Sequence, residues 1–220
     1  DKIKLNGGEF ILKESLSNDV FTPEDFSDEQ KMMKETIIDF MDREIWPDKM
    51  KYEEKDYDLT FQAMKKIGEL GLLGVSLEDK YGGMGMDFVS TMLAVDYVSG
   101  VTGSVATAYG AHTGIAILPI YLFGNEDQKQ KYLPKLASGE WFGSYCLTEP
   151  TAGSDANSGK TKAVLSDDGS HYKISGQKMW ISNAGFADIF IVFARIENDK
   201  NITGFIVPND SNNGIKLGEE

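Results

Sequence analysis

Apolar residues recur at helical intervals through the first part of the chain and alternate with polar ones in the last part. Ser27-Asp28-Glu29-Gln30 has capping-box spacing, in which a Ser hydroxyl and a Gln side chain each satisfy an amide orphaned at a helix start. Met33, Ile37, Phe40, Met41 and Ile45 then share one face before Pro47, so the spacing predicts an amphipathic helix. A second helix is expected from Asp58, burying Phe61, Met64, Ile67 and Leu70 or Leu72. It should end near Gly71 or Gly74, where a left-handed residue is easily accommodated. Asp87 is placed to cap a third helix carrying Met92, Leu93 and Val95 or Tyr97, and Gly103 to Phe123 reads as an apolar helix kinked at Pro119. Asn125-Glu126-Asp127-Gln128 repeats the capping-box spacing, and its short helix should stop at Gly139.

From Trp141 the period changes to two. Thr161, Ala163 and Leu165 alternate with polar neighbours, Asp167-Asp168-Gly169-Ser170 supplies a turn, and Tyr172 and Ile174 resume, which predicts a hairpin. Asp188 to Arg195 and Ile202 to Val207 add two β-branched, aromatic-rich runs. The expected architecture is α+β. An extended N-terminal arm over 1–20 leads to an all-α helical domain over 21–140, and an antiparallel β-sheet or small barrel follows over 141–220.

Composition narrows the function classes. The 220 residues are 41% hydrophobic and 26% charged, enough apolar material for a sizeable core. A formal net charge of -13 excludes an ordinary nucleic-acid binder, which needs clustered Lys and Arg against phosphate. The longest apolar stretch, Gly114 to Phe123, contains Pro119 and falls short of the roughly 20 residues a transmembrane helix needs. One cysteine, Cys146, leaves no internal disulfide framework. The chain starts at Asp1 without a signal-like or transit-like segment, so a trimmed start is expected and no address is readable. The glycines of Tyr81-Gly82-Gly83-Met84-Gly85-Met86 lack the Lys-Ser/Thr pair or G-x-G-x-x-G context of a phosphate cradle and read as a helix linker.

Two stretches carry candidate chemistry. Tyr145-Cys146-Leu147-Thr148-Glu149-Pro150-Thr151-Ala152-Gly153-Ser154-Asp155 reads as a strand running into a turn whose backbone amides and hydroxyls suit a polar or anionic ligand. Lys178-Met179-Trp180-Ile181-Ser182-Asn183 sets a large aromatic beside a hydroxyl and an amide at a strand end, so a planar ligand could lie on Trp180 and bond Ser182. From composition alone, a hydroxyl-rich turn beside an edge tryptophan in a sheet is the favoured reading of both.

These stretches, with Lys131-Tyr132-Leu133-Pro134-Lys135-Leu136-Ala137-Ser138-Gly139-Glu140 and Tyr109-Gly110-Ala111-His112, closely resemble the signature of the acyl-CoA dehydrogenases, which are FAD flavoproteins. The resemblance covers roughly residues 21 to 220. It implies that Tyr145, Leu147, Thr148, Gly153, Ser154, Trp180, Ile181 and Ser182 form the cofactor site. Thr148 would bond the pyrimidine side of the flavin, Ser182 would sit near N5, Trp180 would wall the ring, and Gly153-Ser154 would meet the diphosphate and the bound thioester. Ser182 stands where many relatives have Thr, which keeps the hydroxyl, and Thr151 stands where Gly or Ser is common. The small pair Gly110-Ala111 resembles very-long-chain members and implies room for a long alkyl tail; close helix packing explains it equally well. The implied reaction is α,β-dehydrogenation of a fatty acyl-CoA, with electrons passed to electron-transfer flavoprotein. The implied assembly is a homodimer or homotetramer, in the bacterial cytoplasm or the mitochondrial matrix.

The family's base is a glutamate in a C-terminal helical domain, expected beyond Glu220, so no catalytic residue is assigned here. Glu149 is the tempting substitute and reads instead as an acceptor for backbone amides. A Cys146–His112 thiol pair lacks any local signature, and a strand cysteine reads as a small buried apolar residue. His112, His171 and Cys146 are scattered without ligand spacing, so no metal site is expected. An acyl-CoA oxidase of the same fold and a non-catalytic interaction module are the competing readings.

Overall fold

The computed structural model describes residues 5–210 and 212–218. A four-residue helix α1 (Glu9–Leu12) precedes α2 (Asp28–Phe40), and Ser27 and Gln30 close the predicted capping box in both directions. A wide π turn over Met41–Ile45 then leads to α3 (Lys49–Glu53). Helix α4 (Tyr57–Glu69) is capped by Asp56, whose carboxylate accepts the Leu59 amide, so the helix starts one residue before the expected Asp58. Asp87 caps α5 (Phe88–Val98), and Asn125 boxes with Gln128 to start α8 (Glu126–Ala137); Gly71 and Gly139 follow their helices with φ of 77° and 73°.

The apolar run from Gly103 is one 21-residue helical rod: α6 (Gly103–Gly110), a π segment (Ala111–Ile117) and α7 (Leu118–Phe123). The rod is longer than the Gly114–Phe123 stretch suggested, and its length and mean hydropathy of 1.3 suffice to cross a bilayer. Here it packs one face into the fold and leaves Leu122 and Phe123 exposed. Tyr109 donates to Leu72 O, Asn183 donates to Ala108 O, and Gly143 of the sheet sits so close to Ala116 that an added Cβ would meet its methyl at 2.7 Å. Pro119 falls in the first turn of α7, where its missing N–H does little harm, and the local departure is the π turn before it.

The Tyr81–Met86 linker folds back on 74–77 rather than opening to a ligand. Met84, Gly85 and Met86 donate their amides to Gly74, Leu77 and Val75, and a Cβ on Gly83 would lie 2.1 Å from Leu77 O.

Five strands form the sheet: β1 (Gly143–Cys146), β2 (Lys162–Leu165), β3 (Tyr172–Ser175), β4 (Ile189–Ile196) and β5 (Thr203–Pro208). The β2–β3 hairpin and the β4–β5 pair are antiparallel, as the alternation implied. β1 and β2, however, both run parallel to β4, at its first and last residues respectively, so the sheet of this α+β chain is mixed. Parallel pairing needs long crossovers, and those between β1 and β4 are non-local, so alternation along the chain cannot reveal them.

Two large apolar clusters fill the molecule. One unites α2, α4, α5 and α6 through Ile37, Met41, Met64, Ile67, Val98 and Val105. The other is a seam in which Ile117, Ile120, Leu133 and Leu136 of the helices pack on Ile189 and Ile191 of β4. This seam sets the helical face against the sheet and leaves the opposite face of β4 and β5 beside a recess.

Candidate functional site

The two stretches, about 25 residues apart in sequence, are stitched together at the end of β1. Met179 donates its amide to Thr148 O at 3.0 Å, and Lys178 Nζ reaches Leu147 O at 3.1 Å and Glu149 Oε1 at 2.7 Å. Ser144 Oγ donates to Ser182 O at 2.8 Å, and Asn183 Nδ2 ties the same loop to α6 through Ala108 O at 2.9 Å. The segment 178–183 is a loop rather than the strand end anticipated from the sequence. Trp180 and Asn183 hold left-handed backbone, φ 60° and 66°. Asn adopts that region readily, whereas a bulky Trp does so at a cost of order 1–3 kcal/mol that the four ties offset.

The strained backbone turns Trp180 outward. Its side chain is 83% exposed on the wall of an open recess of about 2230 Å³, with Ile181, Ser182, Cys146, Thr107 and Ala108 around it and Phe205 to Pro208 of β5 facing. Tyr145 points to the other side of β1, half-buried against Phe193 at 4.9 Å between ring centroids. Leu147 and Thr148 are half-buried and do not line the recess, while Gly153 and Ser154 lie exposed just after the turn closed by the Glu149–Ala152 bridge. Gly110 and Ala111 sit farther along the rod and do not line the recess. Ala111 is buried, whereas a Cβ on Gly110 would meet nothing within 4 Å. The structure therefore brings Trp180, Ile181 and Ser182 together directly, and joins Leu147 and Thr148 to them through backbone. Among the described residues, the hydroxyls of Thr148, Ser154 and Ser182 and the Trp180 indole N–H have no hydrogen-bond partner, nor do the amides of Gly153 and Ser154.

The charges around this site are fixed. Burial opposes ionisation of Glu149, yet Lys178 and the Lys160 and Thr161 amides outweigh it and hold the carboxyl down at about 2. Burial pushes the Cys146 thiol up to about 12, which Lys178 opposes only weakly, so Cys146 stays a neutral apolar filler. Burial likewise lowers His112 to about 4. Its Nδ1 accepts the Gly143 amide at 3.2 Å, which places the ring proton on Nε2, donated to Leu136 O at 3.0 Å. Cys146 and His112 therefore form no nucleophile pair: each is neutral, and the imidazole is occupied on both nitrogens. Among the described residues no three His, Cys, Asp or Glu side chains converge on a cation.

The residue that sequence reasoning missed is Lys178, whose ammonium joins both stretches; a Lys two residues ahead of a tryptophan carries no signal until a buried carboxylate faces it. Asn183 was legible only as an amide, although its tolerance of left-handed backbone was the available clue.

The model of the acyl-CoA dehydrogenase N-terminal domain matches residues 27–140, and that of the acyl-CoA dehydrogenase middle domain matches residues 144–220. The chain belongs to the acyl-CoA dehydrogenase family. It is 44% identical over 214 residues to a probable acyl-CoA dehydrogenase of Bacillus subtilis, a match covering 97% of this chain and 36% of that protein. It is 38% identical over 172 residues to the mitochondrial isovaleryl-CoA dehydrogenase of Bos taurus, covering 78% of this chain and 40% of that one. The crystal structure of an acyl-CoA dehydrogenase complexed with FAD from Bacillus anthracis superposes with a TM-score of 0.86 at 47% identity, covering 94% of this chain and 35% of that chain. The chain thus spans less than half the length of these relatives.

Proposed function

We propose that this chain is the flavin-facing part of an FAD-dependent dehydrogenase that converts a fatty acyl-CoA to its trans-2-enoyl-CoA. The observation that carries this reading is the stitched pair of stretches, which holds Trp180 out on the wall of the recess with Ser182 beside it and ties Thr148 to the same loop through its carbonyl. FAD, when bound, supplies an electron-pair acceptor for the hydride leaving the β-carbon.

The residues present fit such a group. Trp180 offers an exposed aromatic face for a flat ring, and Ser182 and Thr148 carry hydroxyls with no internal partner to break. Hydrogen bonds from these two groups would stabilise charge where it develops on the ring, at the N5 side for Ser182 and the pyrimidine side for Thr148. Gly153 and Ser154 present amides and a hydroxyl suited to a diphosphate or a thioester oxygen, and Tyr145, Leu147 and Ile181 pack the backbone that aims them. The α-proton would be taken by a glutamate beyond Glu220. Electron-transfer flavoprotein would receive the electrons, and the whole protein would work as a homodimer or homotetramer in a bacterial cytoplasm or a mitochondrial matrix.

On chain length, Gly110 is the position of the small pair that leaves open space, which supports a long alkyl tail running past this helix. The Bos taurus relative is named for a short branched substrate, so the tail length needs its own measurement. The deciding experiment is a visible absorption spectrum of the full polypeptide, followed by anaerobic addition of short-chain and long-chain acyl-CoA in turn. A flavin spectrum that bleaches is expected, and bleaching with the long-chain substrate at the lower concentration is expected with it. A colourless protein, or a yellow one that no acyl-CoA bleaches, overturns the reading. Rapid reoxidation in air would assign an oxidase instead.

A further inference from the structure

Among the described residues, the first segment of the chain carries apolar side chains that lie exposed. Phe10, Ile11, Leu12 and Leu16 are 52%, 75%, 87% and 73% exposed. The contacts that shape this segment are local: Glu9 takes the Asn6 amide and Lys13, and Asp19 takes the Leu16 amide on its carboxylate and the Leu5 amide on its carbonyl. Four large apolar residues clustered on so short a segment, held in shape but unburied, are the mark of a surface that meets another surface.

The comparisons indicate which one. The family model of the helical domain begins only at residue 27, so the segment lies outside what the family at large shares. The Bacillus subtilis match leaves out at most six of the 220 residues, so it takes in most of the first 26. Its 214 residues are 36% of that relative, whose length is therefore about 590. The Bacillus anthracis structure gives a similar length from 94% and 35%. The Bos taurus relative, near 430 residues, matches over 172 residues only. The match to the longer relative, about 160 residues longer, thus takes in nearly the whole chain, whereas the match to the shorter one leaves out about 48 of the 220 residues.

We propose that Phe10, Ile11, Leu12 and Leu16 dock the N-terminal segment onto the additional part of the same polypeptide that the longer relatives possess and the shorter ones lack. Ile11 and Leu12, the two most exposed of the four that are adjacent in sequence, are its anchor. The inference does not depend on the flavin reading.

The test places p-benzoylphenylalanine at Leu12 of the full polypeptide, irradiates it and maps the cross-linked peptide by mass spectrometry. A cross-link into the additional part of the same chain is expected. In parallel, trypsin cleavage after Lys13 should accelerate about tenfold or more in the Ile11→Asp/Leu12→Asp variant, since an undocked segment opens freely. Flavin content read from the same samples should not change. A full polypeptide of only about 430 residues overturns the proposal, as does the absence of any cross-link. So does a cross-link between two copies, or cleavage after Lys13 that is already as fast in the unmodified protein. Protection that depends on added lipid vesicles would assign the segment to a membrane surface instead and also overturn it.

Discussion

Three donors converge on one carboxylate at Glu149: the Lys178 ammonium at 2.7 Å and the Lys160 and Thr161 amides at 2.6 and 3.1 Å. A carboxyl held at about 2 by these partners is too weak a base to take a proton from carbon near neutral pH, which removes it from the chemistry. Its role is to pin Lys178, and through it the Leu147 carbonyl, to the turn. Glu149→Gln should therefore cost about 3–5 kcal/mol in urea unfolding, because it leaves the Lys178 charge nearly buried and unpaired. Lys178→Met on that background should recover much of the loss. The full enzyme carrying Glu149→Gln should still exchange the substrate α-proton; loss of exchange with flavin retained would return Glu149 to catalysis. The sign of the pH effect follows: the folded pKa lies below the ordinary 4.5, so this stability is present above pH 4.5 and is lost as pH falls toward 2.

At the scale of elements, His112 is the joint between rod, sheet and last helix. Sitting in the π segment, its ring takes the Gly143 amide at the head of β1 and donates to Leu136 O near the end of α8. Burial favours the neutral ring, so its pKa falls from 6.5 to about 4. The unfolded chain binds this proton first, so the joint stabilises fully above pH 6.5 and loses about 3 kcal/mol as pH falls from 6.5 to 4. Urea midpoints measured across that window should fall, and His112→Gln should lower the midpoint at pH 7.5 while flattening the slope. An unchanged slope would show that other groups govern it. What sequence could read at this scale was local. Ser27, Asp87 and Asn125 declare their helices because a cap and its partner lie three residues apart. The start of α4 was read one residue late, at Asp58, because Asp56 and Asp58 are both acceptable at a helix start. The π turn and the parallel pairing of β1 and β2 on β4 left no mark, since each depends on partners dozens of residues away. The candidate site was legible in the same degree: the motifs contain Thr148, Trp180 and Ser182, and also Lys178 and Asn183, but not the ties by which those last two hold the stretches together.

At the scale of the molecule, the question is whether helices and sheet unfold as one body. The change of period near Trp141 suggests two units, yet the seam of Ile117, Ile120, Leu133 and Leu136 against Ile189 and Ile191 is fully buried from both sides. Ile189 is 0% exposed, and it lies on β4, the strand to which β1, β2 and β5 all pair. Truncating it removes apolar contact from the helical face and from the centre of the sheet together. Ile189→Ala should destabilise by about 2–5 kcal/mol. Because the seam couples the two parts, far-ultraviolet ellipticity, which reports the helices, and tryptophan fluorescence, which includes Trp141 beside the seam, should shift to lower urea by the same amount. Two separated transitions, with only the fluorescence moving, would mean that sheet and helices fold independently and that the recess is held by each part alone. A single shared transition would mean that the wall carrying Trp180 and the helix carrying Ala108 keep their spacing only while the whole seam is closed.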